Sequence, residues 1–234
     1  MMHGVKEVTI MKQIYLDNAA TTKPLPEVVD AMKDYLYENY GNPSSLYDIG
    51  QINKQAIENA RQKVARLLGV SSEEILFTSG GSESDNWALK GILMPGDHII
   101  TTKIEHHAIL NACKWLEDQG VEVTYLDVNK YGFVNPEDVE NAIKDNTFLV
   151  SIMYANNEIG AIQPIRQIGE IVKKNNIIFH VDAVQAFGHV PIDVDECRID
   201  LLSCSSHKIY GPKGVGALFV RDTVKIDPLI HGGG

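Results

Sequence analysis

The chain has 234 residues, 44% of them hydrophobic and 22% charged, which is the make-up of one large globular domain and excludes a disordered or fibrous chain. Its net charge of −10 argues against a nucleic-acid-binding surface, which needs basic groups to replace phosphate counterions. No apolar run approaches the ~18 residues needed to cross a bilayer, so no membrane partner is expected.

Residues 1–13 read as an N-terminal extension, with Met11 just before the first patterned segment and no secretory-signal pattern. Residues 25–39 predict a helix opened by Pro24 and Pro26, and 41–45 a turn cluster. Residues 51–68 predict a long helix closed by Gly69. From there strands and helices alternate. Strands are expected at 75–78, 99–102, 121–127, 148–154, 177–182, 201–205 and 215–220. Helices are expected at 83–91, 108–119, 136–144 and 165–175. This is the pattern of an α/β fold, a mainly parallel sheet with helices on both faces, whose ligands bind outside the carboxyl ends of the strands.

The residues at those ends form a coherent set. After 75–78 come Gly80, Gly81 and Ser82, a tight turn into a helix start that suits an anion, or an ordinary capped turn. After 99–102 comes His106, able to stack on a flat ring and move protons, or a surface histidine at a helix start; His107 fits the second role better. Asn156 and Asn157 follow 148–154. Asp182 ends the 177–182 strand and Gln185 follows it. A buried carboxylate there needs a cation, such as a protonated pyridine nitrogen, although a capping aspartate reads equally well. Ser205, His207 and Lys208 close the list. A lysine following an apolar strand can lose its proton and attack an aldehyde, whereas Lys213 fits an exposed turn. A metal site built from His106, His107, His180 and Asp182 lacks the H-E-x-x-H signature, so no metal is expected.

Cys113, Cys197 and Cys204 are odd in number and widely spaced, which reads as a reduced, cytoplasmic chain with neither disulfides nor a zinc knot. Cys204 lies in an apolar run and reads as an inert buried thiol.

Seven segments, in order, resemble cysteine desulfurases of the NifS/IscS type, which are fold-type-I pyridoxal-phosphate (PLP) enzymes of the class-V aminotransferase family. They are Tyr15-Leu16-Asp17-Asn18-Ala19-Ala20-Thr21-Thr22, Gly41-Asn42-Pro43-Ser44-Ser45, Phe77-Thr78-Ser79-Gly80-Gly81-Ser82-Glu83-Ser84, Glu105-His106, Asn156-Asn157-Glu158-Ile159-Gly160, His180-Val181-Asp182-Ala183 and the run from Ser205 to Gly214. The resemblance implies that 14–234 is the PLP-binding large domain, incomplete relative to the family. It implies that Lys208 binds PLP covalently and that Asp182 pairs with the pyridine nitrogen. Gln185 and Asn157 would lie near the ring hydroxyl, and His106 would stack on the ring and move protons. Gly81, Ser82, Ser205 and His207 would hold the phosphate.

The implied reaction takes L-cysteine to L-alanine, with the sulfur passing as a persulfide to an iron–sulfur scaffold or a tRNA-thiolation protein, in a homodimer. None of the three cysteines matches the family's nucleophile, and the smaller second domain lies beyond residue 234 of the family pattern. The chain alone is therefore expected not to release sulfur. A non-catalytic PLP- or partner-binding module, a selenocysteine lyase and an aminotransferase are the alternatives.

Overall fold

The computed structural model describes residues 14–232, so the expected extension at 1–13 lies outside the described residues. Six α-helices and seven strands occur among them: α1 (Pro26–Tyr37), α2 (Asp48–Leu68), β1 (Ile75–Thr78), α3 (Gly81–Lys90), β2 (His98–Thr102), α4 (His107–Asp118), β3 (Glu122–Leu126), α5 (Pro136–Asn141), β4 (Thr147–Ser151), α6 (Ile165–Lys174), β5 (Ile178–Asp182), β6 (Leu201–Ser205) and β7 (Gly216–Val220). The strands form one sheet in the order β1-β7-β6-β5-β4-β2-β3.

β2 to β6 pair in parallel, and β7 runs antiparallel to both β6 and β1. The loop between β6 and β7 is too short for a crossover, which needs a dozen or more residues, so the chain folds straight back. Because β7 reverses the direction twice, β1 again points the same way as β2 to β6. The carboxyl ends of six strands therefore share one edge.

Strand periodicity sorts the core into two layers. Ile100, Val150, Phe179, Val181 and Leu202 pack with Ile168 and Val172 of α6 on one face. Their neighbours Ile99, Leu149 and Leu201 pack with Ala88 and Leu89 of α3 and Ile109 and Leu116 of α4 on the other. Successive strand residues point to opposite faces, so a strand covered on both sides is buried throughout, as β2 and β6 are, with their few polar groups buried as well.

Several boundaries differ from the sequence expectation. α2 starts three residues earlier than expected, and its far end is where Gly69 was expected to close it, in the left-handed region at φ 72°. α5 stops at Asn141 because Lys144 and Thr147 close a turn on each other: Lys144 N donates to Thr147 Oγ1 at 2.7 Å, and Thr147 N donates to Lys144 O at 3.0 Å. β4 stops at Ser151, yet Ile152 and Tyr154 still donate backbone bonds to His180 and Asp182. The chain thus stays beside β5 until it delivers Asn156 and Asn157. No helix among the described residues is long and apolar enough to cross a membrane.

Candidate active site

A cleft of about 640 Å³ opens at the carboxyl edge of the sheet. Gly81, Ser82, His106, Asn157, Asp182, Gln185, Ser205, His207 and Lys208, the residues singled out from the sequence, all line it. They come from the ends of β1, β2, β5 and β6 and from the extended stretch after β4.

The anion end is built by α3. The helix begins at Gly81, two residues earlier than expected, so Ser82 stands inside the first turn rather than opening it. The first N–H groups of a helix lack intrahelical acceptors and, with the helix dipole, favour negative charge. A Cβ on Gly81 would lie 2.6 Å from Val184 Cγ2, so only glycine lets the turn pack against the start of the segment after β5. Ser205 Oγ is buried without a hydrogen-bond partner and faces the same cleft. An orphaned hydroxyl beside a helix start is a donor without an acceptor.

The opposite end carries charge. Asp182 is 5% exposed; burial raises its carboxyl, while the Val184 N–H, which donates to Oδ1 at 2.9 Å, and the nearby His106 and Lys208 lower it. The capping and counter-ion readings of Asp182 therefore coexist, one oxygen serving the turn. His106 likewise does two things: its Nδ1 accepts from Ala108 N at 3.1 Å, capping α4, and its ring lines the cleft. Lys208 lies in a 3-10 turn after β6, half-buried, and that burial lowers its amine from the ordinary lysine range, against the pull of Asp17 and Asp182.

An N-terminal strap closes over this turn. Lys208 Nζ donates to Ala19 O and, at 2.9 Å, to Ala20 O, while Gln185 Nε2 donates to Ala19 O at 2.8 Å. Thr22 N donates to His207 O at 2.8 Å, and Thr22 Oγ1 accepts from Tyr210 N at 2.7 Å. The strap thus positions residues 207–210.

Sequence reasoning gave no cleft role to several lining residues, among them Asp85, Glu83, Met153 and Lys213. Lys213 was assigned to an exposed turn; it is exposed, but at the rim of the cleft. Asp85 was legible, since it stands three and four residues before Ala88 and Leu89 and so shares their buried helix face. The cysteines stand apart. All three are buried and unpaired, none lines the cleft, and burial pushes Cys113 and Cys204 up to about 12.

A profile described as aminotransferase class V matches residues 14–234. The chain belongs to the class-V aminotransferase family. This class-V chain is 62% identical to a cysteine desulfurase IscS of Methanosarcina thermophila over 98% of its own length and 58% of the relative's. It is 59% identical to a cysteine desulfurase IscS of Clostridium botulinum, over 95% of its length and 57% of the relative's. Among solved structures it matches one described as SspA in complex with cysteine, with a TM-score of 0.91 and 44% identity, covering 94% of this chain and 65% of that one. The class-V chain therefore spans about 58% of the length of its curated relatives.

Proposed function

We propose that the cleft binds pyridoxal 5'-phosphate and that the chain is the cofactor-holding part of a cysteine desulfurase. The observation that carries this reading is the convergence of an amine, a buried carboxylate and a helix start with an orphaned hydroxyl on one cleft at the carboxyl edge. Two further facts support it: relatives above half identity are named cysteine desulfurases, and a solved neighbour is described as a complex with cysteine.

The residues present fit the cofactor. Gly81 and Ser82, at the start of α3, with Ser205 and His207, suit a phosphate. Asp182, a buried carboxylate on the cleft wall, suits a protonated ring nitrogen. Asn157 and Gln185 offer amides to a ring oxygen, and the His106 imidazole lies where a flat ring would be stacked. Bound there, the cofactor supplies an electron sink for charge developing at the α-carbon of an amino acid.

The chain's own groups do the rest. The Lys208 amine, with its proton affinity lowered by burial, would hold the cofactor through its aldehyde group and, when free, would serve as a base toward the substrate. Asp182 would hold the ring nitrogen and favour its protonated form. His106 moves protons between the substrate and solvent. L-cysteine is the proposed substrate of the whole protein, L-alanine its product, and the acceptor of sulfur an iron–sulfur scaffold or a tRNA-thiolation protein.

Buried thiols outside the cleft cannot take that sulfur. The 234 residues are therefore proposed to hold the cofactor without releasing sulfur at an enzymatic rate. The unpaired thiols suit the reducing cytoplasm. A homodimer is the proposed assembly, supported by Leu36, Tyr37, Tyr40, Leu46 and Tyr47, apolar side chains left exposed around α1 and the turn after it.

The test is an absorption spectrum of the purified protein with added pyridoxal phosphate, followed by borohydride and mass measurement. A yellow complex, fixed as a cofactor adduct by borohydride in the wild type and not in Lys208→Ala, is expected. Equal fixation in both proteins, or none in either, overturns the reading.

A further inference from the structure

The cleft floor carries a second acid. Asp85 lies on α3, one turn beyond the anion end, and lines the same cleft as Asp182 with only 1% of its surface exposed. Its Oδ1 has no hydrogen-bond partner. His180 Nε2 stands 3.8 Å from that oxygen. That imidazole offers no positive charge. It is clamped between Ser151 Oγ at 2.8 Å and Ser203 Oγ at 3.0 Å, and burial pushes it down to about 3. A third acid, Glu105, approaches from the turn after β2, buried and pushed up to about 8. The Lys208 amine and the His106 ring, which face this floor, act on Asp182.

Two buried carboxylates that line one cleft and repel each other favour a state in which only one is ionised, so their environments decide which one keeps the proton. Asp182 has a backbone N–H donor and, beside it, the Lys208 amine and the His106 ring. Asp85 has only the Ser203 hydroxyl on its side, against burial and the charges of Asp182 and Glu105.

We propose that Asp85 is a positioning residue for Asp182: it stays a neutral carboxylic acid on the cleft floor, and by keeping its proton it leaves Asp182 the one ionised acid facing the cofactor's ring nitrogen. The inference rests on the cofactor reading above and deepens it. Asp85 touches no reacting atom. It sets the charge of the floor, so that the field at the ring comes from one carboxylate rather than from two competing ones. The Ser203–His180–Ser151 row beneath it fixes the geometry without adding charge.

The experiment labels aspartate carboxyl carbons with carbon-13 in the 234-residue protein and follows their resonances with pH, first without cofactor. One aspartate is expected to give a protonated signal at pH 7 that is missing in Asp85→Asn. In Asp182→Asn the same signal is expected to ionise at lower pH, because the repelling neighbour is gone. A structural role alone would not move that midpoint. Should Asp85→Asn not fold, Asp85→Glu removes the same signal and gives the assignment.

With pyridoxal phosphate added, Asp85→Asn is expected to bind within about 3-fold of the wild type, and Asp182→Asn more than about 30-fold more weakly. An Asp85 signal ionised at pH 7, a midpoint unmoved by Asp182→Asn, or an Asp85→Asn loss as large as that of Asp182→Asn overturns the inference. Failure of the wild type to bind pyridoxal phosphate overturns the cofactor reading itself. Normal binding together with an ionised Asp85 overturns only the role given to Asp85.

Discussion

The two edges of the sheet treat buried polar groups in opposite ways. At the amino edge His98 is held by Thr147 Oγ1 at 2.7 Å and Thr124 Oγ1 at 2.8 Å, and Asp200 meets Phe179 N at 3.0 Å and the Arg221 guanidinium at 3.5 Å. At the carboxyl edge Asp85 Oδ1, Glu105 Oε2 and Ser205 Oγ have no partners. A buried polar atom left unsatisfied destabilises the fold, so the cluster of them around the cleft marks where a ligand or a stored proton completes the structure. The amino edge closes on itself, and the carboxyl edge is built to be completed.

Glu105 gives the largest expected break in this contrast. Its carboxyl, ordinarily near 4.5, is pushed up to about 8, so the folded chain keeps a proton that the unfolded chain gives up. Its favourable state is fully present below pH 4.5 and is lost as pH rises toward 8. Glu105→Gln keeps an Oε1 acceptor for Thr102 Oγ1 and Met153 N but cannot ionise. Denaturant unfolding is expected to show a gain on the order of 3 kcal/mol near pH 8, shrinking toward zero near pH 5. A wild-type stability that rises across this range would contradict it.

His98→Ala at the amino edge is the counterpart. It removes a ring bonded on both nitrogens and is expected to cost about 2 kcal/mol in the same unfolding assay. Pyridoxal-phosphate affinity, measured by fluorescence titration, should stay unchanged. A large loss of affinity would mean that the two edges are not independent.

Ser205→Ala sharpens the contrast with the smallest effect. Deleting an orphaned hydroxyl is expected to change stability by less than about 0.5 kcal/mol, while weakening pyridoxal-phosphate binding by about 5- to 10-fold. If stability falls by more than affinity does, the hydroxyl has a partner within the fold.

Much of the architecture was legible because both sheet faces are covered, so strands such as β1 and β6 stand out as apolar runs between turns. The strand-end residues were legible for the same reason, since a polar group that ends such a run has to face the edge. The double reversal at β7 was not, because direction depends on how much chain a loop supplies and not on the strand's composition. The protonated floor was missed for a different reason. Asp85 can be placed on a buried helix face from its spacing, but that its neighbour would be Asp182, 97 positions away, follows only from the crossing of α3 over the sheet. The strap over Lys208 was equally hidden, as its bonds join residues more than 180 positions apart.

That separation bears on synthesis. Segment 17–22 is made well before 207–210 and finds its acceptors and donors only once those residues have emerged, so it must wait while the long stretch between them is translated. An early-made piece of the cleft thus docks late. Anything that captures the nascent leader in that interval, such as a chaperone, holds the final step of assembly.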